Sequence, residues 1–140
     1  MPYTSSLNIE KIATGTATGT WGDKTNVNWD RIDAFSGGYI SISLGGIAAY
    51  TLDTAEGATP SDAGTAGDGG GTGWNKAIVF TGTPSGAVTV TIKPVTSEKW
   101  YFVSNSTSGP GQTITFQQTP GSTVSRAVGY STIIYCTGAN

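Results

Sequence analysis

Short runs in which apolar and polar residues alternate, separated by glycine and proline turns, dominate the chain after residue 38. The clearest runs lie at Tyr39–Leu44, Ala87–Ile92 and Thr113–Gln117. Alternation with a period of two places every second side chain on the buried face of a strand. Seven or eight such runs, recurring about every ten residues, are typical of a sandwich or barrel. The sequence therefore predicts an all-β fold, an antiparallel jelly-roll-like β-sandwich, over residues 39–140.

Three of these strands carry more specific predictions. Lys76–Thr81 is apolar enough to be central in its sheet, and 48–52 is expected to pair with the first strand across a glycine turn. The run Trp100–Val103 is almost uniformly apolar, so we expect at least alternate side chains there to be core. We expect Trp100 to belong to the buried set.

The first 38 residues differ in composition from the rest and read as an extended arm. They contain few large aliphatic residues, yet they hold Trp21 and Trp29. A segment this polar cannot bury two indoles in a core of its own, and such rings gain most by packing on a partner. We therefore predict a docking arm (1–38) ahead of the sandwich domain (39–140). Its assembly interface would consist of Trp21, Asn26, Trp29, Ile32 and Phe35.

One short helix is predicted within this arm, over Asn26–Phe35. Thr25 or Asn26 can act as its N-cap, and Gly37-Gly38 can supply the left-handed residue that ends it. Trp29 and Ile32 are three residues apart and share one face with Phe35. The helix could equally plug one end of the sandwich, and the sequence does not choose between that role and docking.

The long interruption between Asp53 and Gly73 is the candidate ligand loop. It is glycine-rich, contains Asp62 and Asp68, and ends beside Trp74. Carboxylates can bind Ca²⁺, but this spacing matches neither the EF-hand loop nor the glycine-rich calcium repeat. Paired carboxylates for glycoside hydrolysis need rigid walls, which such a loop does not provide. No metal or cofactor is predicted, and Trp74 is left as a candidate sugar platform.

Composition argues against several functional classes. The chain has no histidine, which removes histidine-dependent triads and zinc sites, and its single thiol, Cys136, reads as a buried strand residue. Seven basic against nine acidic residues give no cationic face for nucleic acid. No apolar run is long enough to cross a membrane, and the first residues lack the pattern of a secretory signal. We expect neither an enzyme, nor a nucleic-acid binder, nor membrane insertion.

Several segments of the sequence, taken in order, resemble a recurrent bacteriophage virion module. The resemblance begins in GTWGDKTNVNWDRIDAFSGGY (19–39), where Gly-Thr-Trp-Gly is followed by Thr-Asn-x-Asn, a short helix and a glycine. It continues through VTVTIKP (88–94), KWYFVSNSTSG (99–109), TITF (113–116) and VGYSTIIYCTGAN (128–140). It spans about residues 7–140, and the order and spacing of the motifs carry it.

This resemblance implies a structural component of the virion, assembled in the host cytoplasm. Tail fibres and tail-associated appendages are its usual setting, which implies contacts with other virion proteins and a role in host attachment. Slender appendages of this kind favour a homotrimer. Two alternatives stay open: a head-decoration protein of the capsid, and a carbohydrate-binding module that recognises a host surface glycan through Trp74 and the 53–73 loop.

Overall fold

A computed structural model describes residues 3, 4, 7, 9–54, 71–109, 112–118 and 122–138. Within these residues, eight strands form two four-stranded sheets and one α-helix lies ahead of them in the chain, so the predicted β-sandwich class with one helix is confirmed. The elements are α1 Trp21–Gly37, β1 Tyr39–Ser43, β2 Ala49–Asp53, a 3-10 turn Thr72–Trp74, β3 Ala77–Thr81, β4 Val88–Lys93, β5 Glu98–Asn105, β6 Thr113–Gln117, β7 Thr123–Ala127 and β8 Ser131–Thr137.

Consecutive strands alternate between the two sheets until the chain reaches β7. Sheet one has the order β1-β3-β5-β8, and sheet two has the order β2-β4-β6-β7. Strands β1, β3 and β5 run parallel, as do β2, β4 and β6, whereas β8 and β7 join antiparallel at one edge of each sheet. The antiparallel jelly-roll detail is therefore not confirmed, because the sheets are mixed.

The pairing predicted between β1 and the following strand is wrong. Strand β2 lies in the other sheet and pairs with β4, in the register Tyr50↔Val90 and Leu52↔Ile92. Strand β1 pairs instead with β3, which is internal in its sheet as predicted. Alternation of apolar and polar residues determines which face of a strand is buried. It does not determine which strand is the pairing partner or whether the pair is parallel, because both depend on the path of the connecting chain.

The core lies between the sheets and follows the alternation of the strands. It contains the inward side chains of seven strands: Ile40, Ile42, Leu44, Tyr50, Leu52, Ile78, Phe80, Val88, Val90, Ile92, Tyr101, Val103, Ile114, Phe116, Ile134 and Cys136. The shared face predicted for Val88, Val90 and Ile92 is confirmed. The prediction for Trp100 is wrong, because Tyr101 and Val103 are the buried set in β5 and Trp100 points outward.

Helix α1 is longer than predicted and has different ends. It begins at Trp21, four to five residues before the predicted cap, and its N-cap Thr20 makes no side-chain capping bond. Thr25 lies inside the helix and donates its hydroxyl to the Trp21 carbonyl at 2.7 Å. Gly38 follows in extended backbone, with φ −62°, so the predicted left-handed stop is wrong.

Gly38 is required by a close approach of backbones. A Cβ there would lie 2.4 Å from the Ala34 carbonyl oxygen and 2.8 Å from the Asn75 amide oxygen. The space is used by hydrogen bonds, since the backbone N–H of Lys76 donates to the Ala34 and Gly38 carbonyls at 3.1 and 3.0 Å. These bonds fasten the end of α1 to the start of β3.

The division of the chain into a docking arm (1–38) and a sandwich domain (39–140) stays a prediction.

The segment before the helix packs on its own chain. The Asn28 side chain bonds both backbone groups of Glu10, accepting from its N–H and donating to its carbonyl, each at 2.9 Å. Lys24 forms an ion pair with the Glu10 carboxylate. The Trp74 indole donates to the Leu7 carbonyl at 3.0 Å. This segment and α1 are thereby tied to each other and to the 3-10 turn.

Candidate assembly interface

An exposed apolar stripe runs along α1. Trp21 is 64% exposed, Trp29 63% and Ile32 36%. At about 100° per residue, positions 21, 29 and 32 fall within about 80° of the helix circumference. We call these three side chains the indole stripe. Trp21 also borders a depression of about 360 Å³ formed by residues between Ile12 and Thr18.

The opposite face of α1 holds the stripe in place. Arg31 and Ala34 are buried there, and the Arg31 guanidinium lies 4.9 Å from the centre of the Trp74 ring. Burial lowers the pKa of Arg31, while the nearby Tyr3 and Glu10 act in the opposite direction. The stripe is therefore presented by a helix whose other side is fixed, which limits the entropy lost when a partner binds.

Of the five residues predicted for the interface, three form the stripe. Asn26 is exposed on α1, and Phe35 is half-buried. Phe35 has a different contact, since the Lys76 ammonium lies 4.1 Å from the centre of its ring and 3.0 Å from the centre of the Trp100 ring. Burial lowers the pKa of Lys76. This cation between two rings connects α1 to the outer surface of sheet one.

The outer surface of sheet one has two adjacent apolar rows, which lie next to the more polar row Ser41–Val79–Ser104–Ser131. The register aligns Tyr39, Ala77, Phe102 and Ile133 in one row, and Trp100 with Tyr135 in the next. The large members are between 38% and 66% exposed. Trp100 and Phe102 contact edge to face, with ring centres 5.3 Å apart. We call Tyr39, Trp100, Phe102, Ile133 and Tyr135 the outer apolar face.

A depression of about 340 Å³ lies within this face. Its lining includes Ala77, Val79, Phe102, Ser104, Ser131 and Ile133. The small side chains Ala77, Ser104 and Ser131 form its low part, next to the projecting rings of the outer apolar face. This surface was not predicted from the sequence. A strand such as 100–103, in which both the odd and the even positions are apolar, places apolar residues on both faces of its sheet and so could have indicated it.

The outer surface of sheet two has the opposite character. Its rows read Ala49–Thr89–Thr115–Ser125 and Thr51–Thr91–Gln117–Thr123. Side chains in these rows bond one another, as Thr115 and Ser125 do at 2.9 Å and Gln117 and Thr91 at 3.3 Å. No large hydrophobic side chain faces outward from these four strands, all of which the structure describes. The outer surface of sheet two is therefore polar enough to face water, whereas the outer surface of sheet one carries an exposed apolar patch.

The predicted ligand loop is not assembled into a site by the described residues. Asp62 and Asp68 lie outside them. Trp74 is fully buried, with its N–H donated to Leu7 and its ring covered by Arg31, so it offers no face to a sugar. Within the described ranges, no three His, Cys, Asp or Glu side chains are grouped so that they could hold a metal ion.

A buried lysine is the most perturbed cation of the core region. The Lys99 ammonium donates to the Thr54 hydroxyl at 2.7 Å and to the Lys93 carbonyl at 3.0 Å. Burial lowers its pKa to about 8, an effect that the neighbouring Cys136 and Asp53 partly oppose. Cys136 is its cross-strand partner, and burial raises the pKa of that thiol to about 11. The thiol is protonated at neutral pH and packs as a small hydrophobic group, as predicted.

Two further findings bear on function. Among the helices that the structure describes, none is both long and apolar enough to cross a membrane. Comparison of the chain with protein-family models, curated proteins and solved structures gave no match.

Proposed function

We propose that this chain is a structural component of a bacteriophage virion that attaches to a neighbouring virion protein through the indole stripe of α1. The observation that carries the proposal is the exposure of Trp21 and Trp29 on one side of a helix whose other side is anchored. A free monomer gains nothing from presenting two large indoles to water, whereas an assembly protein buries them on its partner.

The size of the effect is sufficient for docking. A tryptophan side chain buries roughly 150–250 Å². With nearly two-thirds of each ring system exposed, Trp21 and Trp29 together leave on the order of 250 Å² to be covered. At about 25 cal/mol per Å², that surface contributes about 6 kcal/mol before the costs of association. Two such anchors, with Ile32 on the same side of the helix, can act as a binding hot spot.

The resemblance noted in the sequence supports the setting. The segment 19–39, with which the resemblance to the phage module begins, is the segment that carries the indole stripe. A tail fibre or tail-associated appendage, built as a homotrimer and serving host attachment, is the setting that this resemblance favours. A head-decoration protein would use the same stripe at a different place on the particle.

The test is a double substitution, Trp21→Ala with Trp29→Ala, followed by particle assembly. Deleting the whole arm would be a poorer test, because Leu7 and Arg31 cover the buried Trp74. Tyr130→Ala is the matched control, since Tyr130 is an equally exposed aromatic in the turn before β8. We expect the double variant to fold but to be absent from purified particles, while Tyr130→Ala is retained.

Immunogold labelling of particles with the unmodified chain then separates tail from head. Label along tails or fibres supports the appendage, and label over the capsid supports the head-decoration alternative. Normal incorporation of the double variant into particles would contradict the docking role of the stripe.

A further inference from the structure

We infer that the outer apolar face of sheet one is buried against the same face of another copy of this chain. The inference deepens the homo-oligomer of the proposed function, on which it rests, by assigning the surface that forms it. The proposed contact between copies uses a different surface from the indole stripe, so this inference and the proposed function can be tested separately.

The extent of the face matches a subunit interface. Its five side chains, Tyr39, Trp100, Phe102, Ile133 and Tyr135, are on average about half exposed. If each buries roughly 200 Å² when fully covered, they leave on the order of 500 Å² in one continuous patch. Patches of about 300–600 Å² are the largest on typical monomers, and a stable interface covers about 800 Å² per partner. These five side chains alone would supply more than half of that.

The charge of the face selects a neutral partner. Of the outward positions in β1, β3, β5 and β8, all of them described, only Glu98 is charged, and it lies at the start of β5. The nearby Lys76 ammonium is enclosed by the Phe35 and Trp100 rings. A charged partner would lose hydration here without gaining a counter-charge. A second outer apolar face meets the requirement, and every copy of the chain carries one.

The shape of the face permits such self-contact. Phe102 and Ile133 border the depression of about 340 Å³, whose lining also includes the small residues Ala77, Ser104 and Ser131, and Trp100 and Tyr135 lie in the adjoining row. In a symmetric contact each copy inserts its projections and receives those of its neighbour. A strict contact between two identical faces closes about a twofold axis. About a threefold axis three of these faces converge, and each contacts its two neighbours through different parts; the proposed fibre role favours this second arrangement.

The contrast with sheet two shows that strand composition does not account for the patch. Both sheets are built by the same alternating turns of chain, yet outward positions of sheet two carry threonine, serine and glutamine. A chain that needed both outer surfaces in water would have no reason to place tyrosine, tryptophan, phenylalanine and isoleucine on one of them.

The experiment measures the mass of the full chain in solution by sedimentation and light scattering over a wide concentration range. Ile133→Glu places a carboxylate within the face, on edge strand β8. Thr123→Glu is the matched control, an exposed outward position on edge strand β7 of sheet two. We expect an oligomer for the unmodified chain and for Thr123→Glu, and at least a 100-fold weaker association for Ile133→Glu.

Phe102→Ala provides a second variant that adds no charge. It removes a ring that is about half exposed, so the core between the sheets is untouched, and we expect association at least tenfold weaker. Circular dichroism and urea midpoints establish that each variant is folded. A monomeric unmodified chain at every concentration, or an oligomer indifferent to both substitutions in the face, would overturn the inference.

The two proposals are separated by combining this measurement with the particle assay. A monomeric chain that still enters particles through its indole stripe would overturn this inference and leave the proposed function standing. An oligomer that depends on the outer apolar face but enters no particle would support this inference and overturn the proposed function.

Discussion

Replacing Lys99 by methionine is expected to stabilise the folded chain at neutral pH. Lys99 lies in β5, is 2% exposed, and directs its ammonium at the Thr54 hydroxyl and the Lys93 carbonyl. Burial lowers its pKa from the ordinary 10.5 to about 8. The charged form is therefore disfavoured by folding, and a side chain of similar length without charge removes that penalty.

The magnitude follows from the pKa and the hydrogen bonds. Lowering the pKa from 10.5 to about 8 corresponds to about 3 kcal/mol against folding of the charged amine, relative to the neutral amine, at pH 7. Replacing the neutral amine by methionine then gives up two ordinary hydrogen bonds, which costs about 1–2 kcal/mol. The Lys93 carbonyl stays partnered, because the Thr54 N–H and hydroxyl also donate to it, at 3.2 and 3.3 Å. The net expectation is stabilisation by about 1–2 kcal/mol.

The lowered pKa of Lys99 also makes the stability of the folded chain depend on pH. Above pH 8 the folded Lys99 loses its proton while the unfolded chain keeps it up to about 10.5, so the unmodified protein gains stability as pH rises through this window. Cys136 opposes this above pH 9, because its pKa is raised from 9.0 to about 11 in the folded state. The gain is therefore confined to about pH 8–9, and Lys99→Met should abolish it.

Urea unfolding at pH 7, 8 and 9 measures both effects. Lys93→Met is the control, since the Lys93 side chain is exposed and its removal should leave the stability at pH 7 nearly unchanged. Lys99→Met should be more stable than the unmodified chain at pH 7 and lose about 1 kcal/mol of that advantage by pH 9. A variant that is less stable at pH 7, with the pH dependence of the unmodified chain, would refute the reasoning.

Three further predictions concern stability and reactivity. Gly38→Ala should destabilise by about 3 kcal/mol or more, because its Cβ would meet the Ala34 carbonyl oxygen at 2.4 Å, whereas Gly37→Ala, with nothing within 4 Å, should be nearly neutral in the same urea assay. Asn105→Ala should cost about 2–4 kcal/mol and speed hydrogen exchange in β7, because its buried amide donates to the Gln112 and Arg126 carbonyls; exchange unchanged there would count against this. Cys136 should not react with a thiol reagent at pH 8 until urea unfolds the chain, because it is buried and its pKa is raised; rapid labelling of the native protein would show that it is accessible.

The alternation of residues predicted the buried faces well and the strand pairing poorly. In β4 the sequence VTVTI has one apolar phase, so Val88, Val90 and Ile92 had to face inward. In 100–103 both phases are apolar, and periodicity carries no information about which one is buried. Burial of Tyr101 rather than Trp100 is decided by the Tyr101 hydroxyl, which donates to the Gly73 carbonyl at 2.7 Å inside the molecule.

The helix shows a similar division between local and tertiary causes. Its existence could be predicted from the spacing of Trp29 and Ile32, but its buried face could not, because Arg31 and Ala34 occupy it. Arg31 on the inner face lies against the ring of Trp74, which is 43 positions away in the chain, and also donates to the Asn28 side chain. The exposed position of both indoles on one side depends on the same contact and on the early start at Trp21.

By itself, the amino-acid sequence determined the class of this protein: short strands with one buried face, one helix, and an unreactive thiol in a strand. These are local properties, since they depend on the period of two and on residue type. The three-dimensional fold alone decided that β1, β3 and β5 run parallel while β8 joins them antiparallel, and that Tyr39, Phe102 and Ile133 line up in one row. Such a row is made of residues up to 94 positions apart, and only the pairing of strands brings them together.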